Sequence, residues 1–326
     1  MTLPFALRFD LRNPPIGGTT AAERYAAALD IVEWADTRGC LAVALSEHHS
    51  SPDGYLPSPL IMLAAMAART KNVHLSVAAL IAPFHDPLRL AEDLSVLDHL
   101  SNGRVSLIIA AGYVREEFEM FGVPSNERAT RVTEAIATLK AAFAGGPFEY
   151  RGRTVTVTPA PLTPGGPGLT LGGSSEKAAR RAARLGIGFL PSVPEIWDFY
   201  RDELAVLGAA DPGPCPIGSN RTVALAEDVE RGWEQMGPYF LHEMNAYGAW
   251  HAAALDAASP YSTVADIDEL RRGTSYAVLT PEQYIEELKA QPFPFAMLHP
   301  LCGGMPPELA WSSLRLLESK VAPAFA

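Results

Sequence analysis

Residues 73–110, with the sequence VHLSVAALIAPFHDPLRLAEDLSVLDHLSNGRVSLIIA, decide the fold class of this chain. Residues 73–81 and 104–110 are short β-rich runs, and residues 88–100 between them show the longer pattern that is typical of a helix. A strand, a helix and a second strand in this order favour a βαβ unit, in which the two strands are parallel.

The same alternation continues on both sides of this stretch. The predicted strands are residues 5–9, 41–45, 73–81, 104–110, 169–171, 187–190, 221–226 and 293–298. The predicted helices include one that Thr20 and Glu23 open with capping-box spacing, and residues 58–70, 88–100, 127–143, 175–185, 195–207 and 307–321. Residues 148–161 are predicted to form a hairpin outside the barrel. This alternation predicts an α/β protein, a (β/α)8 TIM barrel in one domain over residues 1–326.

One βα unit departs from this alternation of strands and helices. More than fifty residues, about 227–280, separate the seventh strand from the helix that begins near Pro281. An insertion after a barrel strand lies on the catalytic face. It could be a mobile lid or an extra packing helix, and the sequence leaves both interpretations open.

Composition limits the classes of function. The chain has 326 residues, and 26 basic against 37 acidic side chains give a net charge of −11. The sequence contains no stripe of basic residues of the kind that binds nucleic acid, so we expect no nucleic-acid partner. Three distant cysteines, Cys40, Cys215 and Cys302, indicate a reducing compartment, and we expect a cytoplasmic protein. No apolar run approaches the 18 residues that a membrane span requires.

Polar residues follow several predicted strands, where barrel enzymes carry their active sites. Ser46-Glu47-His48-His49 follows the second strand and could exchange protons, or could form a structural hydrogen bond at the rim. Gly172-Gly173-Ser174-Ser175 precedes a helix and could bind a phosphate. Gly303-Gly304 is a rival phosphate loop, and Arg128 or Arg131 could supply a positive charge.

The sequence lacks the motifs of several common enzyme classes. No Walker A loop, dinucleotide-binding glycine motif, zincin motif or nucleophile elbow occurs. A barrel metal hydrolase with His48, His49 and His85 as ligands remains an alternative, although it lacks a convincing set of carboxylates at the other strand ends.

The combined order of these segments resembles the bacterial luciferase-like monooxygenase family of flavin-dependent barrels. The resemblance extends from about Phe5 to Arg131 and returns at residues 172–186 and in the C-terminal helix. It rests on SEHH at 46–49, AARTKNV at 67–73, Pro87, AED at 91–93, LDHLSNGR at 97–104, Gly112-Tyr113, Glu117-Phe118 and Phe121-Gly122.

The resemblance implies roles for individual residues. His48 matches the active-site histidine, with Glu47 orienting it. Ala78-Ala79 matches a pair joined by a cis peptide bond that supports the flavin ring. Gly173, Ser174 and Ser175 match the phosphate end of the flavin site. The chain departs from luciferase at Ala110 and Ala111, which replace a cysteine and an arginine, and at Ala178, which replaces a threonine. Ala110 would border the flavin in a more open site. Arg131 or Arg128 would supply the missing positive charge.

The resemblance also implies a reaction. Reduced FMN from a separate flavin reductase, together with O2, would oxidise a small organic substrate. One branch of the family uses the deazaflavin F420 for hydride transfer, which is the main alternative, and a non-catalytic flavin-binding protein is an alternative of another class. By the same resemblance we expect a homodimer through the helices that follow strands two and three. No membrane partner is expected.

Overall fold

A computed structural model describes residues 3–216, 221–254 and 261–325. Its strands are β1 Phe5–Phe9, β2 Cys40–Leu45, β3 His74–Ile81, β4 Val105–Ala110, β5 Phe148–Tyr150, β6 Arg153–Val155, β7 Gly168–Gly173, β8 Gly188–Pro191, β9 Thr222–Leu225, β10 Tyr276–Leu279 and β11 Ala296–Leu298. Its helices are α1 Ala21–Ala35, α2 Pro59–Arg69, α3 Pro87–Ser101, α4 Arg115–Phe121, α5 Arg128–Phe143, α6 Glu176–Leu185, α7 Trp197–Val206, α8 Val229–Ala252, α9 Ile267–Arg272, α10 Pro281–Lys289 and α11 Pro307–Leu316.

The parallel sheet confirms the predicted α/β class. Its strand order is β10-β9-β11-β1-β2-β3-β4-β7-β8, and every pair is parallel. All eight predicted strands are present, and the predicted hairpin is the antiparallel pair β5–β6. Pairing of β1 with β11 joins the two ends of the chain, as in a barrel.

The sequence analysis missed strand β10. This strand lies within the segment that we predicted as an insertion, and it pairs with β9 from Tyr276↔Thr222 to Leu279↔Leu225. The segment therefore contributes to the sheet as well as to helices α8 and α9.

Side chains of the central strands alternate between two environments. Outward positions such as Val43, Leu75 and Leu107 are fully buried beneath the helices. One layer of inward positions, in register across neighbouring strands, carries no side chain larger than serine: Ala44, Ser76, Ser106 and Gly168. TIM barrels ordinarily fill the interior with bulky branched residues. This layer is lined by small groups instead, whereas the layers on either side of it include His74 and Ile108.

Local signals explain where the helices begin. Thr20 and Glu23 form the predicted capping box of α1, since each side chain accepts a hydrogen bond from the backbone N–H of the other residue. Ser175 caps α6 by accepting from the N–H of Ala178.

Helix α8 packs on the barrel through an apolar face. Phe240 is fully buried, Met236 and Tyr247 nearly so, and Gly248 lies against the backbone of residues 262–263. These contacts fit a packing helix, and the lid interpretation stays a prediction. Within the described ranges, no helix has both the length and the apolar character that a membrane crossing needs.

Candidate active site

A cavity of about 870 Å³ lies at the carboxyl ends of β3, β4, β7 and β8. Six of the residues predicted to bind a cofactor line it: Ala78, Ala79, Ala110, Gly173, Ser174 and Ser175. Arg131 lies elsewhere, because its guanidinium pairs with Glu127 one turn earlier on the helix surface. The structure thus brings together residues that are almost one hundred positions apart in the sequence.

Small groups form one wall of this cavity. The Ala78–Ala79 peptide bond is cis, as the resemblance predicted, and Ser46 Oγ donates to the Ala78 carbonyl at 2.9 Å. A Cβ atom on Gly172 would lie only 2.9 Å from Ile108 Cγ2, so this position has no room for a side chain. The wall therefore suits a flat ligand that approaches the backbone closely.

The part of the cavity at the start of α6 suits an anion. Ser174 and Ser175 lie at the N-terminus of α6, where free N–H groups and the helix dipole favour negative charge. Arg128, Lys177 and Arg181 also line the cavity, with Glu176 as the one carboxylate among its described lining residues. Burial lowers the pKa of Arg181, as expected for a guanidinium that is partly withdrawn from water.

The sequence analysis missed two of these cations, Lys177 and Arg181. Their signal was their place in the first two turns of the helix that follows the Gly-Gly-Ser-Ser segment. The rival loop Gly303-Gly304 is filled by its neighbours, because Cβ atoms there would lie 2.0 Å from Tyr239 O and 2.3 Å from Pro14 Cδ. The backbone N–H groups of Gly303 and Gly304 already donate to Asp10 Oδ2 and to the carbonyl of Leu301, so they are not free for a phosphate, and that interpretation is wrong.

His48 has a different carboxylate partner from the one predicted. Its Nδ1 lies 2.8 Å from Glu117 Oε1, and the same oxygen accepts from the backbone N–H of His49 at 2.8 Å. Glu117 is fully buried at the start of α4. The prediction that Glu47 orients His48 is therefore wrong, and Glu117 does so.

Glu47 holds a different part of the site together. It accepts hydrogen bonds from His49 Nε2 at 2.9 Å, from His85 Nε2 at 3.0 Å and from the backbone N–H of Ile81 at 2.7 Å. Burial alone would raise the pKa of Glu47, but these hydrogen bonds outweigh it and lower the pKa to about 2. The ionised carboxylate thus ties the end of β2 to the end of β3.

Within the described structure, His48, His49 and His85 do not form a close group of potential metal ligands. Among the residues that the structure describes, one group of potential ligands comes within 4.8 Å of one another: Glu243, His299 and Cys302. His48, His49 and His85 are not that group, which removes the ligand set of the metal-hydrolase alternative. Glu243 already accepts from the guanidinium of Arg8 at 2.7 Å and from the hydroxyl of Tyr276 at 2.9 Å.

Aromatic rings separate His48 from the cavity. The imidazole stacks on Trp250 at 4.2 Å, and Tyr55 and Tyr113 present their edges at 4.9 and 5.5 Å. Tyr113 in turn stacks on His251 at 4.5 Å, and these two rings line the cavity, whereas His48 does not. The histidine is therefore one residue behind the cavity wall.

A buried cation supports this aromatic group from behind. The Arg12 guanidinium lies 4.6 Å from the ring of Tyr55, 4.8 Å from Tyr247 and 4.7 Å from Trp250, and it pairs with Asp53. Burial opposes ionisation of Asp53, but hydrogen bonding to His242 and the charge of Arg12 hold its pKa well below the usual range. No motif or local pattern pointed to Arg12.

Comparison with known proteins places the chain in a family. The sequence profile of the luciferase-like monooxygenases matches residues 7–291. The chain belongs to the luciferase-like monooxygenase family and is an oxidoreductase. It is 26% identical to limonene 1,2-monooxygenase of Rhodococcus erythropolis over 318 residues, which cover 91% of this chain and 80% of that protein.

Solved structures share the fold. A monooxygenase from Streptomyces bottropensis superposes with a TM-score of 0.77 at 23% identity, over 99% of this chain and all of the other. The oxygenating constituent of 3,6-diketocamphane monooxygenase from Pseudomonas putida, solved with FMN, gives 0.67 at 18% identity, over 99% of both chains. An F420-dependent secondary alcohol dehydrogenase gives 0.69 at 14% identity over both full chains.

Proposed function

We propose that this protein is the oxygenase component of a two-component system. It would take reduced FMN from a separate flavin reductase and use O2 to oxidise a small organic substrate. The observation that carries the proposal is the cavity itself, with the small residues Ala78 and Ala79 on one wall and Ser174-Ser175 where the start of α6 favours an anion. Family membership supplies the reaction class.

The residues present fit this cofactor. Ala78, Ala79 and Gly172 leave a flat surface for a ring system, since a side chain at Gly172 would collide with Ile108. Ser174 and Ser175 would hold the phosphate, with Arg181 as a charged donor. When bound, reduced FMN supplies the electrons with which O2 is activated.

The protein would bind, orient and shield the reactants. Helix α8 covers the cavity beside Tyr113 and supplies His251 to its wall. Alanine, leucine and proline side chains line much of the remaining wall, at Ala111, Leu190 and Pro191. An apolar or aromatic substrate matches this lining, since apolar walls with a few polar groups are usual for small-molecule sites.

One observation favours a second candidate, an F420-dependent hydride-transfer enzyme. Beyond Ser175 a groove of about 560 Å³ runs along α6, lined by Lys177, Arg180, Arg181 and Arg184. Such a basic groove suits a cofactor whose anionic side chain extends past its phosphate, as that of F420 does. Arg180 and Arg184 are already paired with Glu203, which leaves FMN as the first choice.

An anaerobic titration with reduced FMN and, separately, reduced F420 tests the proposal. Selective binding of reduced FMN, followed by fast reaction of the complex with O2, supports the oxygenase. Selective binding of F420 would move the protein to hydride transfer. Binding of FMN with no oxygen reactivity would support a flavin carrier, and binding of neither cofactor would refute the flavin proposal.

We further propose a cytoplasmic homodimer that associates through α2 and α3. These helices expose large apolar side chains, with Ile61 75%, Val96 47% and Leu100 56% exposed. A second copy would remove this apolar surface from water. Sedimentation of the wild type and of Ile61→Glu tests the interface, since the variant should sediment as a monomer.

A further inference from the structure

We propose that Tyr113 is the catalytic proton donor of this site and that His48 and Glu117 act through it. The inference deepens the proposed oxygenase function and rests on it for the identity of the reactant. It rests on a difference in position: Tyr113 lines the cavity, whereas His48 lies behind Tyr113 and does not line it.

The three side chains form a continuous hydrogen-bonded path. Glu117 Oε1 lies 2.8 Å from His48 Nδ1, and His48 Nε2 lies 3.3 Å from the hydroxyl of Tyr113. The carboxylate holds the proton on Nδ1, so Nε2 is the nitrogen that exchanges a proton with the phenol. The path runs from a buried acid, through an imidazole, to a hydroxyl at the cavity wall.

Reduction of O2 consumes protons, so protons would move along this path from His48 toward the cavity. The proton on His48 Nε2 would move to the Tyr113 oxygen while the Tyr113 proton passes to an oxygen anion in the cavity. His48 changes from imidazolium to imidazole, Tyr113 is a phenol before and after, and the reactant gains one proton. Among the residues that the structure describes, the second oxygen of Glu117 has no hydrogen-bond partner, so His48 is the side chain that faces this buried carboxylate.

Burial keeps Tyr113 in the form that this route requires. Burial, with the nearby Tyr247 and Glu117, raises the pKa of Tyr113 well above its ordinary value. The residue therefore relays a proton as a phenol and does not rest as a phenolate.

The other groups around His48 do not offer an equivalent route. Tyr55 is bonded to Tyr247 at 2.7 Å between the two hydroxyls, behind the cavity wall. His251 lines the cavity, but burial and the neighbouring His48 lower its pKa, so it stays neutral. The titratable or charged groups that surround the imidazole are Glu117, Tyr55, Tyr113, Tyr247 and His251, with Arg12 behind the rings.

The first test needs no flavin. Histidine-labelled protein is studied by 15N NMR as wild type, Tyr113→Phe and Tyr55→Phe, with His48→Asn to identify the His48 signals. We expect Tyr113→Phe to shift the Nε2 signal of His48 and Tyr55→Phe to leave it nearly unchanged. If the 15N shift of His48 Nε2 is the same in Tyr113→Phe as in the wild type, the proposed hydrogen-bonded path does not exist.

The second test measures proton delivery. Complexes with reduced FMN are mixed with O2 across a range of pH in a stopped-flow instrument. Tyr113→Phe should slow flavin oxidation about 10²-fold, the lower end of the range for general acid–base catalysis, and abolish its pH dependence. Its affinity for FMN should stay unchanged, and Tyr55→Phe should resemble the wild type.

Two further variants separate the alternatives. Glu117→Gln should slow flavin oxidation and shift the 15N signals of His48, because the imidazole loses the carboxylate that holds the proton on its Nδ1. If His48→Asn abolishes the pH dependence and Tyr113→Phe retains it, His48 delivers the proton directly and the relay is wrong. If reduced FMN does not bind at all, the oxygenase proposal fails, and the NMR result still decides whether the hydrogen-bonded path exists.

Discussion

The ionised Glu47 makes a measurable and pH-dependent contribution to stability. Its side chain is fully buried and accepts three hydrogen bonds, of which those from the Ile81 N–H and from His85 connect the end of β2 to the end of β3. Its pKa falls from an ordinary 4.5 to about 2. At 1.36 kcal/mol for each pKa unit, this difference corresponds to about 3 kcal/mol of stability at neutral pH.

The sign of the pH dependence follows from the lowered pKa. The contribution is complete above the unfolded-state pKa of 4.5 and is lost as pH falls toward the folded-state pKa of about 2. About 1.4 kcal/mol of it is gone at about pH 3.5. Glu47→Gln should therefore lower the free energy of unfolding by about 3 kcal/mol at pH 7, and the gap from the wild type should narrow in acid.

Urea denaturation followed by circular dichroism measures this gap. Both proteins are unfolded at a series of pH values, down to the lowest at which the native spectrum persists. Glu127→Gln is the matched control, because Glu127 forms an exposed ion pair with Arg131 and the loss of this pair should cost about 0.5 kcal/mol or less. A gap between wild type and Glu47→Gln that stays constant through the acid range would refute the reasoning.

Three other substitutions test the cavity and the core. Gly172→Val should abolish flavin binding in fluorescence titrations, since the valine side chain would collide with Ile108 at the cavity wall, while thermal unfolding still shows a folded protein. An unchanged affinity for the flavin would place the ligand elsewhere. Arg181→Ala should weaken FMN binding by about tenfold, as for one charged hydrogen bond, whereas Arg131→Ala should not; equal effects would contradict the assigned anion site. Phe240→Ala should lower the free energy of unfolding by about 3–5 kcal/mol in denaturant titrations, and a loss below about 1 kcal/mol would show that α8 is loosely packed.

Much of the fold follows from patterns that are local in the sequence. The central strands are short runs bounded by turns, and their outward residues, such as Val77 and Ile109, are apolar because helices cover them. Strand β10 gives a weaker signal, since Tyr276–Leu279 is only four residues long. Its place in the sheet depends on pairing with β9 some fifty residues earlier, which no local pattern reports.

At the candidate site, too, local sequence patterns predict some residues, whereas contacts between distant residues could not be predicted. Ala78, Ala79 and Ser174 could be predicted because the carboxyl ends of parallel strands meet at one edge of the barrel. The carboxylate partner of His48 could not, since Glu117 is 69 positions away. Adjacency along the chain favoured Glu47, but successive side chains of an extended segment point to opposite sides, and Glu47 bonds to His49, two residues on.

The position of His48 behind Tyr113 affects how histidine-modifying reagents would act on this protein. Only 6% of His48 is exposed, whereas His251 lies on the cavity wall. An acylating reagent that enters the cavity meets His251 first. Inactivation by such a reagent, and protection against it by a ligand, would then report on the lining that α8 supplies.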